Sequence, residues 1–295
     1  MPYCRYFKIA GIPIQVKSDI PMSEKTFCAK LASFEIKQPE ENMVHIEHHF
    51  GLPNINVEEL GKKVFERQGF SAYQRPDIWT YFINDYDLKS KPVHQVAFVN
   101  PSHTRMKFFN DRKDLFKEGD IPFLSFYLTD QLFISRVLAD RHGCMFHSSG
   151  VIIEGKGLLF AGHSGAGKST IVKMLDGQVE ILCDDRIIVR KDLNGFRIHG
   201  TYYHGEIPVF SPHSAPLKAL FFLEKSNHNR LIPIPNKTEL ISRLIAYGIK
   251  TIKPLTTADW WQKTLDLIND LVSEIPCQKL KFDKSGEVLQ LLKEI

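Results

Sequence analysis

Leu158-Leu-Phe-Ala-Gly-His-Ser-Gly-Ala-Gly-Lys-Ser-Thr170 joins a continuously apolar run to a glycine-rich loop. Four apolar residues in succession, 158–161, predict a strand that is buried on both faces. Residues 162–169 match the pattern G-x-x-x-x-G-K-[ST] at every fixed position, and a helix is expected over residues 169–175. A buried strand, a glycine loop and a helix in this order predict an α/β domain.

The loop has the composition of a phosphate-binding site. Glycines let its backbone N–H groups turn inward toward an anion, and the start of the helix adds the positive end of its dipole at the same point. Lys168 can reach β- and γ-phosphate oxygens, and the Ser169 hydroxyl can bind magnesium. A chance match in a chain of this length is expected about 1% of the time, so the pattern predicts a nucleoside triphosphate site. The predicted nucleotide-binding residues are Gly162, His163, Ser164, Gly165, Ala166, Gly167, Lys168, Ser169 and Thr170.

Two adjacent aspartates, Asp184 and Asp185, close a strand predicted over residues 179–183. The carboxyl ends of parallel strands are where ligands gather in an α/β sheet, so the pair is expected to face the phosphates. Neighbouring side chains at a strand end point in different directions, so one carboxylate can hold a metal while the other approaches an acceptor hydroxyl. Taken alone, such a pair is more often two turn residues, and its nearness to the phosphate loop favours a site. Arg186 could steer phosphate or form a surface ion pair.

Two further polar residues are ambiguous on their own. His147 precedes the hairpin that leads to the loop, and a lone histidine is usually a hydrogen-bonded structural residue. Glu206 lies in Gly200-Thr-Tyr-Tyr-His-Gly-Glu206, a segment whose glycines and aromatics are typical of a turn.

The whole chain has the composition of a globular protein, with 295 residues, 43% hydrophobic and 24% charged. Residues 1–125 contain short alternating runs, at 7–16, 44–50, 78–83 and 95–99, which predict an antiparallel, partly exposed sheet. A helix predicted over residues 123–141 is the expected joint between two halves. We therefore expect a smaller strand-rich α+β domain over residues 1–125 and an α/β domain over residues 126–295, where strands alternate with helices.

Several classes of protein are disfavoured. No apolar run approaches the roughly 20 residues that span a bilayer, and the first residues lack a signal-peptide core, so a cytoplasmic location is expected. Five scattered cysteines without a CxxC pair indicate reduced thiols rather than disulfides or a zinc site. A net charge of +4 favours neither a nucleic acid nor a membrane as partner. On the strand 44–50, His45, Glu47 and His49 share one face, and this polar-out alternation needs no metal.

Taken together, these motifs resemble the HPr kinase/phosphorylase superfamily, whose phosphate loop is similar to that of phosphoenolpyruvate carboxykinase. The resemblance covers about residues 120–225, through Phe146-His-Ser-Ser-Gly-Val, the loop with its Thr170, Leu182-Cys-Asp-Asp and Gly205-Glu. The layout with a strand-rich N-terminal half also resembles a serine-kinase-like branch found beside peptide-modifying genes. The fold that this implies is a P-loop, HPr kinase/phosphoenolpyruvate carboxykinase-like α/β domain after a smaller α+β domain.

The resemblance also implies roles for individual residues. Lys168 would bind the β- and γ-phosphates, and Asp184 would act as base toward the incoming hydroxyl. Magnesium would be held by Ser169, Asp185 and Glu206, and His147 would lie near the transferred phosphate. Two features depart from the family pattern: His163 and Thr170 replace the acidic residues that flank its loop, and its glycine-rich signature around the glutamate is absent. The second departure weakens the inference to HPr as substrate and to a reverse phosphorylase activity.

The first hypothesis for function is an ATP- and Mg²⁺-dependent kinase that phosphorylates a hydroxyl, with a serine of a protein or peptide as acceptor. A small-molecule kinase would use the same residues, and a non-catalytic nucleotide sensor is the alternative from another class. A transporter-type ATPase is rejected because no LSGGQ-like segment follows the loop. The related kinases assemble into oligomers, so a homo-oligomer is also expected.

Overall fold

The computed structural model describes residues 3–84, 93–127, 129–249 and 256–295. The chain forms two compact units that divide between Val137 and Leu138, and Thr256 and Thr257 belong to the first. The boundary expected between residues 125 and 126 lies N-terminal to this division.

The first unit contains one mixed sheet. Its described strands are β1 (Tyr3–Ile9), β2 (Ile12–Ser18), β3 (Glu35–Ile36), β4 (Val44–Phe50), β5 (Lys62–Arg67), β6 (Phe70–Gln74), β7 (Trp79–Asn84), β8 (Val93–Val99) and β9 (Arg105–Asn110). The spatial order is β3-β1-β2-β4-β9-β8-β7-β6-β5. Its helices are α1 (Ala29–Ala32) and α2 (Lys113–Glu118), with a 3₁₀ turn at Val57–Glu59. A third helix, α3 (Asp130–Asp140), contains the point where the two units divide.

The predicted strand character of this unit is confirmed, but the pairing is mixed rather than wholly antiparallel. β4 pairs in parallel with both β2 and β9. The single run expected over residues 7–16 is a hairpin instead, because Ala10 and Gly11 have φ values of +50° and +73° and close a two-residue turn. On β4, Val44, Ile46 and His48 are buried, and the alternate side chains lie on the other face, as the polar pattern predicts.

The helix predicted over residues 123–141 begins later than expected. Phe126 has a φ of +74°, which an α-helix does not allow, and α3 starts at Asp130. The buried Asp130 carboxylate instead accepts hydrogen bonds from the backbone N–H groups of Leu124 and Ser125, at 2.7 Å each. These bonds stabilise a turn at a place where the apolar spacing alone indicates a helix. Leu128, within the predicted helix, lies outside the described residues.

The second unit contains the predicted phosphate loop. Its described strands are β10 (Gly143–Ile153), β11 (Lys156–Ala161), β12 (Glu180–Cys183), β13 (Arg186–Asp192), β14 (Gly195–His199), β15 (Ser214–Lys225), β16 (Arg230–Pro233) and β17 (Cys277–Phe282). Its helices are α4 (Lys168–Leu175), α5 (Lys237–Arg243), α6 (Ala258–Glu274) and α7 (Val288–Lys293), with a π turn at Leu244–Gly248 after α5.

The described strands of this unit pair in two sheets, and the long strands β10 and β15 belong to both. One sheet is formed by β10, β13, β14 and the start of β15. In the other, pairing follows the order β12-β10-β11-β15-β17-β16, in which β11, β15 and β17 are parallel. β10 is antiparallel to both β11 and β12, so β11, β12, β15 and β17 all end at the same edge. The segments that follow these four strands therefore begin at the same edge of the sheet.

Burial explains the continuously apolar strand. Leu158, Leu159, Phe160 and Ala161 are each at most 1% exposed, because apolar residues cover both faces of the sheet. Phe160 packs with Ile171, Val172 and Leu175 of α4 on one face. Leu159 packs on the other face with Ile268 and Leu271 of α6. The predicted double burial of this strand is therefore confirmed.

Candidate functional site

A pocket of about 320 Å³ lies at the shared carboxyl edge of β11, β12 and β15. It is lined by His147, Ser164, Gly165, Gly167, Lys168, Ser169, Thr170, Asp184, Asp185, Gly205, Glu206 and Lys225. Ten residues that the sequence analysis selects therefore meet in one pocket. Three selected loop residues, Gly162, His163 and Ala166, are outside its lining. His163 is exposed, and its ring contacts Tyr247 edge-on, with 6.0 Å between the ring centroids.

Glycines shape the loop between β11 and α4. Gly165 and Gly167 have φ values of +83° and +109°, in the region that favours glycine. A Cβ on Gly167 would lie 2.6 Å from the Phe282 ring, so this position has no room for a side chain. The N–H of Ala166 donates to the His163 carbonyl at 3.1 Å and closes the turn. The loop is thus tight against β17 and bends in the way an anion-binding backbone requires.

The first turn of α4 points at this pocket. Gly167 is the N-cap of α4, and no side chain caps the helix there. The first N–H groups of an α-helix lack partners within the helix, so they remain suited to an anion. Lys168 is only 8% exposed, and its Nζ donates to the carbonyls of Gly162 at 3.0 Å and His163 at 3.4 Å. This buried ammonium group is held inside the curve of the loop.

Asp184 is buried, and main-chain groups bind both of its carboxylate oxygens. The N–H of Gly205 donates to Oδ1 at 2.6 Å, and the N–H of Ile207 donates to Oδ2 at 2.9 Å. Asp184 is 2% exposed, and its own carbonyl accepts a hydrogen bond from the Ser149 hydroxyl at 3.0 Å. These contacts attach the segment 205–207 to the end of β12. Glu206 lies between Gly205 and Ile207 in the sequence, so the two hydrogen bonds to Asp184 position the backbone that carries its side chain.

Asp185 has different partners. Its Oδ1 lies 3.0 Å from Nε2 of His147, and its Oδ2 lies 3.4 Å from Nε of Arg186. The side chains of all three residues are 18–19% exposed, so they reach the solvent of the pocket. His147 comes from β10, which pairs with β13 so that His147 stands opposite Arg186. The strand register therefore brings the histidine to the aspartate.

The buried Cys183 organises the turn that carries both aspartates. Burial raises the pKa of its thiol to about 11, so the group is protonated near neutral pH. The thiol donates to the Tyr203 carbonyl at 2.8 Å. Its sulfur accepts from the N–H groups of Asp185 at 3.4 Å and Arg186 at 3.3 Å. Cys183 thus acts as a structural hydrogen-bonding group behind the pocket.

Lys225 is a pocket residue that the sequence analysis does not select. It is the last residue of β15, and β15 is parallel to β11 and adjacent to it. Its Cε lies 3.5 Å from the point where a Cβ on Gly167 would be. Lys225 therefore adds a second cationic side chain to Lys168 on the loop side. Its position at the end of a predicted strand was the available signal, but no motif includes it.

The polar side chains and N–H groups of the pocket suit a magnesium-bound phosphate better than a metal ion bound by the protein alone. Among the described residues, no group of three or more His, Cys, Asp and Glu side chains could hold a metal ion. Ser169, Asp185 and Glu206 nevertheless line the same pocket and supply oxygen donors, which Mg²⁺ prefers. The glycine loop, the uncapped helix and Lys168 fit a polyphosphate, whose oxygens would complete such a magnesium site.

Comparison with known proteins identifies a family. The model of SynChlorMet cassette protein ScmC matches residues 116–294, more than half of the chain. The chain belongs to the ScmC family. The match contains all the selected site residues, and the family description names a cassette rather than a reaction. No curated protein matches the chain. Among the described residues, no helix is long and apolar enough to cross a membrane.

Proposed function

We propose that this ScmC-family chain is an ATP- and Mg²⁺-dependent phosphotransferase that moves the γ-phosphate to a hydroxyl, with a serine of a protein or peptide as the acceptor. The main support is that one pocket is lined by six of the loop residues, both aspartates, Glu206 and His147. These residue types are the ones that phosphoryl transfer needs, because its catalysis depends on positioning and charge neutralisation.

On the donor side, cations and N–H groups would bind the phosphates. Lys168 would exchange its bonds with the loop carbonyls for β- and γ-phosphate oxygens. Lys225 would bring a second positive charge to the same oxygens, from the adjacent strand end. A bound magnesium ion supplies charge neutralisation on those oxygens. Ser169 and Glu206 would hold the ion, with Glu206 kept in place by the bonds between Asp184 and the segment 205–207.

On the acceptor side, the contacts favour Asp185 over Asp184 as the base. The resemblance to HPr kinases implies the base role for Asp184 and a metal-binding role for Asp185. However, both oxygens of Asp184 already accept main-chain hydrogen bonds, and the side chain is nearly inaccessible. Asp185 is 19% exposed and reaches the pocket, and its partners are side chains, His147 at Oδ1 and Arg186 at Oδ2. We therefore assign the proton of the acceptor hydroxyl to the more accessible Asp185, and a positioning role to Asp184.

The test is incubation with γ-labelled ATP and magnesium, with the proteins and peptides encoded beside the gene as acceptors. We expect label on a serine, and we expect Lys168→Ala and Asp185→Asn to abolish it. Asp176→Asn removes a carboxylate after α4 that is not part of the pocket lining, so this control should retain labelling.

Other outcomes would point to the alternative functions. ATP binding without label on any protein or peptide, together with label on a small hydroxyl compound, would indicate a small-molecule kinase. ATP binding without transfer to any acceptor would indicate a nucleotide sensor. Absence of ATP binding would refute the proposal as a whole.

A further inference from the structure

The first unit has its own pocket, on the face of the sheet that carries polar side chains. Its volume is about 700 Å³, within the range of ligand-binding sites. It is lined by Lys17, His45, Glu47, Asp77, Ile78, Phe98, Val99, Asn100, Arg105, Met106 and Lys107. We call it the sheet-face pocket. It crosses the adjacent strands β2, β4, β9 and β8.

The strand register divides this pocket into a charged part and an apolar part. His45 on β4 is paired with Arg105 on β9, and Lys17 on β2 is paired with Glu47 on β4. Phe98 on β8 and Ile78, which precedes β7, form the apolar part, and both are half-buried. Both parts therefore lie on one side of the sheet.

Two cations in the charged part have no carboxylate partner among the described residues. Glu47 lies 3.9 Å from Lys107, which also lines the pocket, and Asp77 lies 3.4 Å from Arg75. Lys17 and Arg105 form no ion pair within residues 3–84, 93–127, 129–249 and 256–295. Both lie close enough to His45 that, after burial, their charges lower the pKa of its ring. An anionic ligand would neutralise this pair of charges.

The width of the pocket favours a peptide over a small acid. Four adjacent strands about 4.8 Å apart span about 14 Å, which about four residues of extended chain would cover. A small acid that contacted Arg105 on β9 and Phe98 on β8 would leave Lys17, on β2 at the other end of the four strands, without a contact. The carboxylates of Glu47 and Asp77 oppose a nucleic acid more than a peptide with a single carboxylate, because the nucleic-acid backbone carries a negative charge at every nucleotide.

We propose that the sheet-face pocket binds an extended acidic peptide, with a carboxylate held by Arg105 and Lys17 and an apolar side chain packed on Phe98 and Ile78. All of these residues belong to the first unit, and the peptide site is independent of nucleotide binding. Residues two apart in an extended peptide project to the same side, so the acidic and apolar side chains are separated by one residue.

The experiment is an NMR titration of the full chain with the tetrapeptide acetyl-Ala-Glu-Ala-Phe-amide. We expect saturable shifts at the His45 ring and at the backbone of Arg105 and Phe98, with a Kd of about 1 mM. The matched peptide with Gln in place of Glu should bind the unaltered chain about five-fold more weakly or worse. The Arg105→Gln variant should show the same loss of affinity for the peptide that contains Glu. Lys62→Gln removes a charge from β5, away from the pocket lining, and should bind like the unaltered chain.

Four results would overturn the proposal. Absence of saturable shifts at about 5 mM peptide would show that the pocket does not bind it. Equal affinity for the Glu and Gln peptides would remove the role of the carboxylate. Binding of N-acetyl-phenylalanine as tightly as the tetrapeptide would indicate a site for small acids. Displacement of the peptide by a short thymidine oligonucleotide would indicate a nucleic-acid surface.

Discussion

The two aspartates of the pocket should respond differently to the same substitution. Asp184→Asn replaces one carboxylate oxygen with an NH₂ group, which faces the N–H of Gly205 or Ile207. The variant loses one hydrogen bond to a charged group, worth about 1.5–3 kcal/mol, and leaves a partly buried N–H without an acceptor. We expect the free energy of unfolding to fall by about 2–4 kcal/mol.

Asp185→Asn is the matched comparison. Its side chain is 19% exposed, and its partners are His147 at 3.0 Å and Arg186 at 3.4 Å. Water can replace much of what those contacts supply, so we expect a loss of at most about 1 kcal/mol. Phosphoryl transfer, by contrast, should be lost in Asp185→Asn even where the protein remains fully folded.

Urea unfolding followed by circular dichroism, with transfer measured on the folded protein, separates the two roles. Equal stability of Asp184→Asn and the unaltered chain would refute the positioning role of Asp184. Loss of transfer in a stable Asp184→Asn, with transfer retained in Asp185→Asn, would restore Asp184 as the base.

Three further predictions concern binding and pH. Lys168→Ala should abolish stabilisation by ATP, which for the unaltered chain is about 2.7 kcal/mol at 100 times the Kd; a thermal shift that survives the substitution would contradict the phosphate-loop assignment. Lys225→Gln should weaken ATP binding about five-fold by calorimetry, whereas Lys218→Gln, an exposed position on the same strand, should not; equal effects would exclude a local role for Lys225. Burial lowers the pKa of His48 from 6.5 to about 4, so protonation of this ring favours the unfolded chain. About 3 kcal/mol of stability that is present above pH 6.5 should therefore be lost as the pH falls toward 4. Urea unfolding at several pH values checks this, and His48→Gln should reduce the slope; an unchanged slope would assign the pH dependence to other groups.

Local patterns predict much of the fold. The apolar run at residues 158–161, the loop after it and the helix α4 follow from hydrophobicity and glycine placement, and the structure contains each of them. The alternation of β4 predicts which of its side chains are buried. Helical spacing does not predict the late start of α3, because the buried Asp130 stabilises a turn through hydrogen bonds that this spacing does not encode.

The residue types available for phosphate chemistry, and their places after strand ends, can be predicted from the order of amino acids because they depend on local patterns. Which of these residues meet, and which partners each has, depends on strand pairing between distant segments. The pairing of β10 with β13 brings His147 to Asp185, and the parallel pairing of β11 with β15 brings Lys225 to the loop. The roles of Asp184 and Asp185 also differ only through their partners. Adjacent aspartates are chemically identical along the chain, and burial and hydrogen bonds to a distant segment distinguish them.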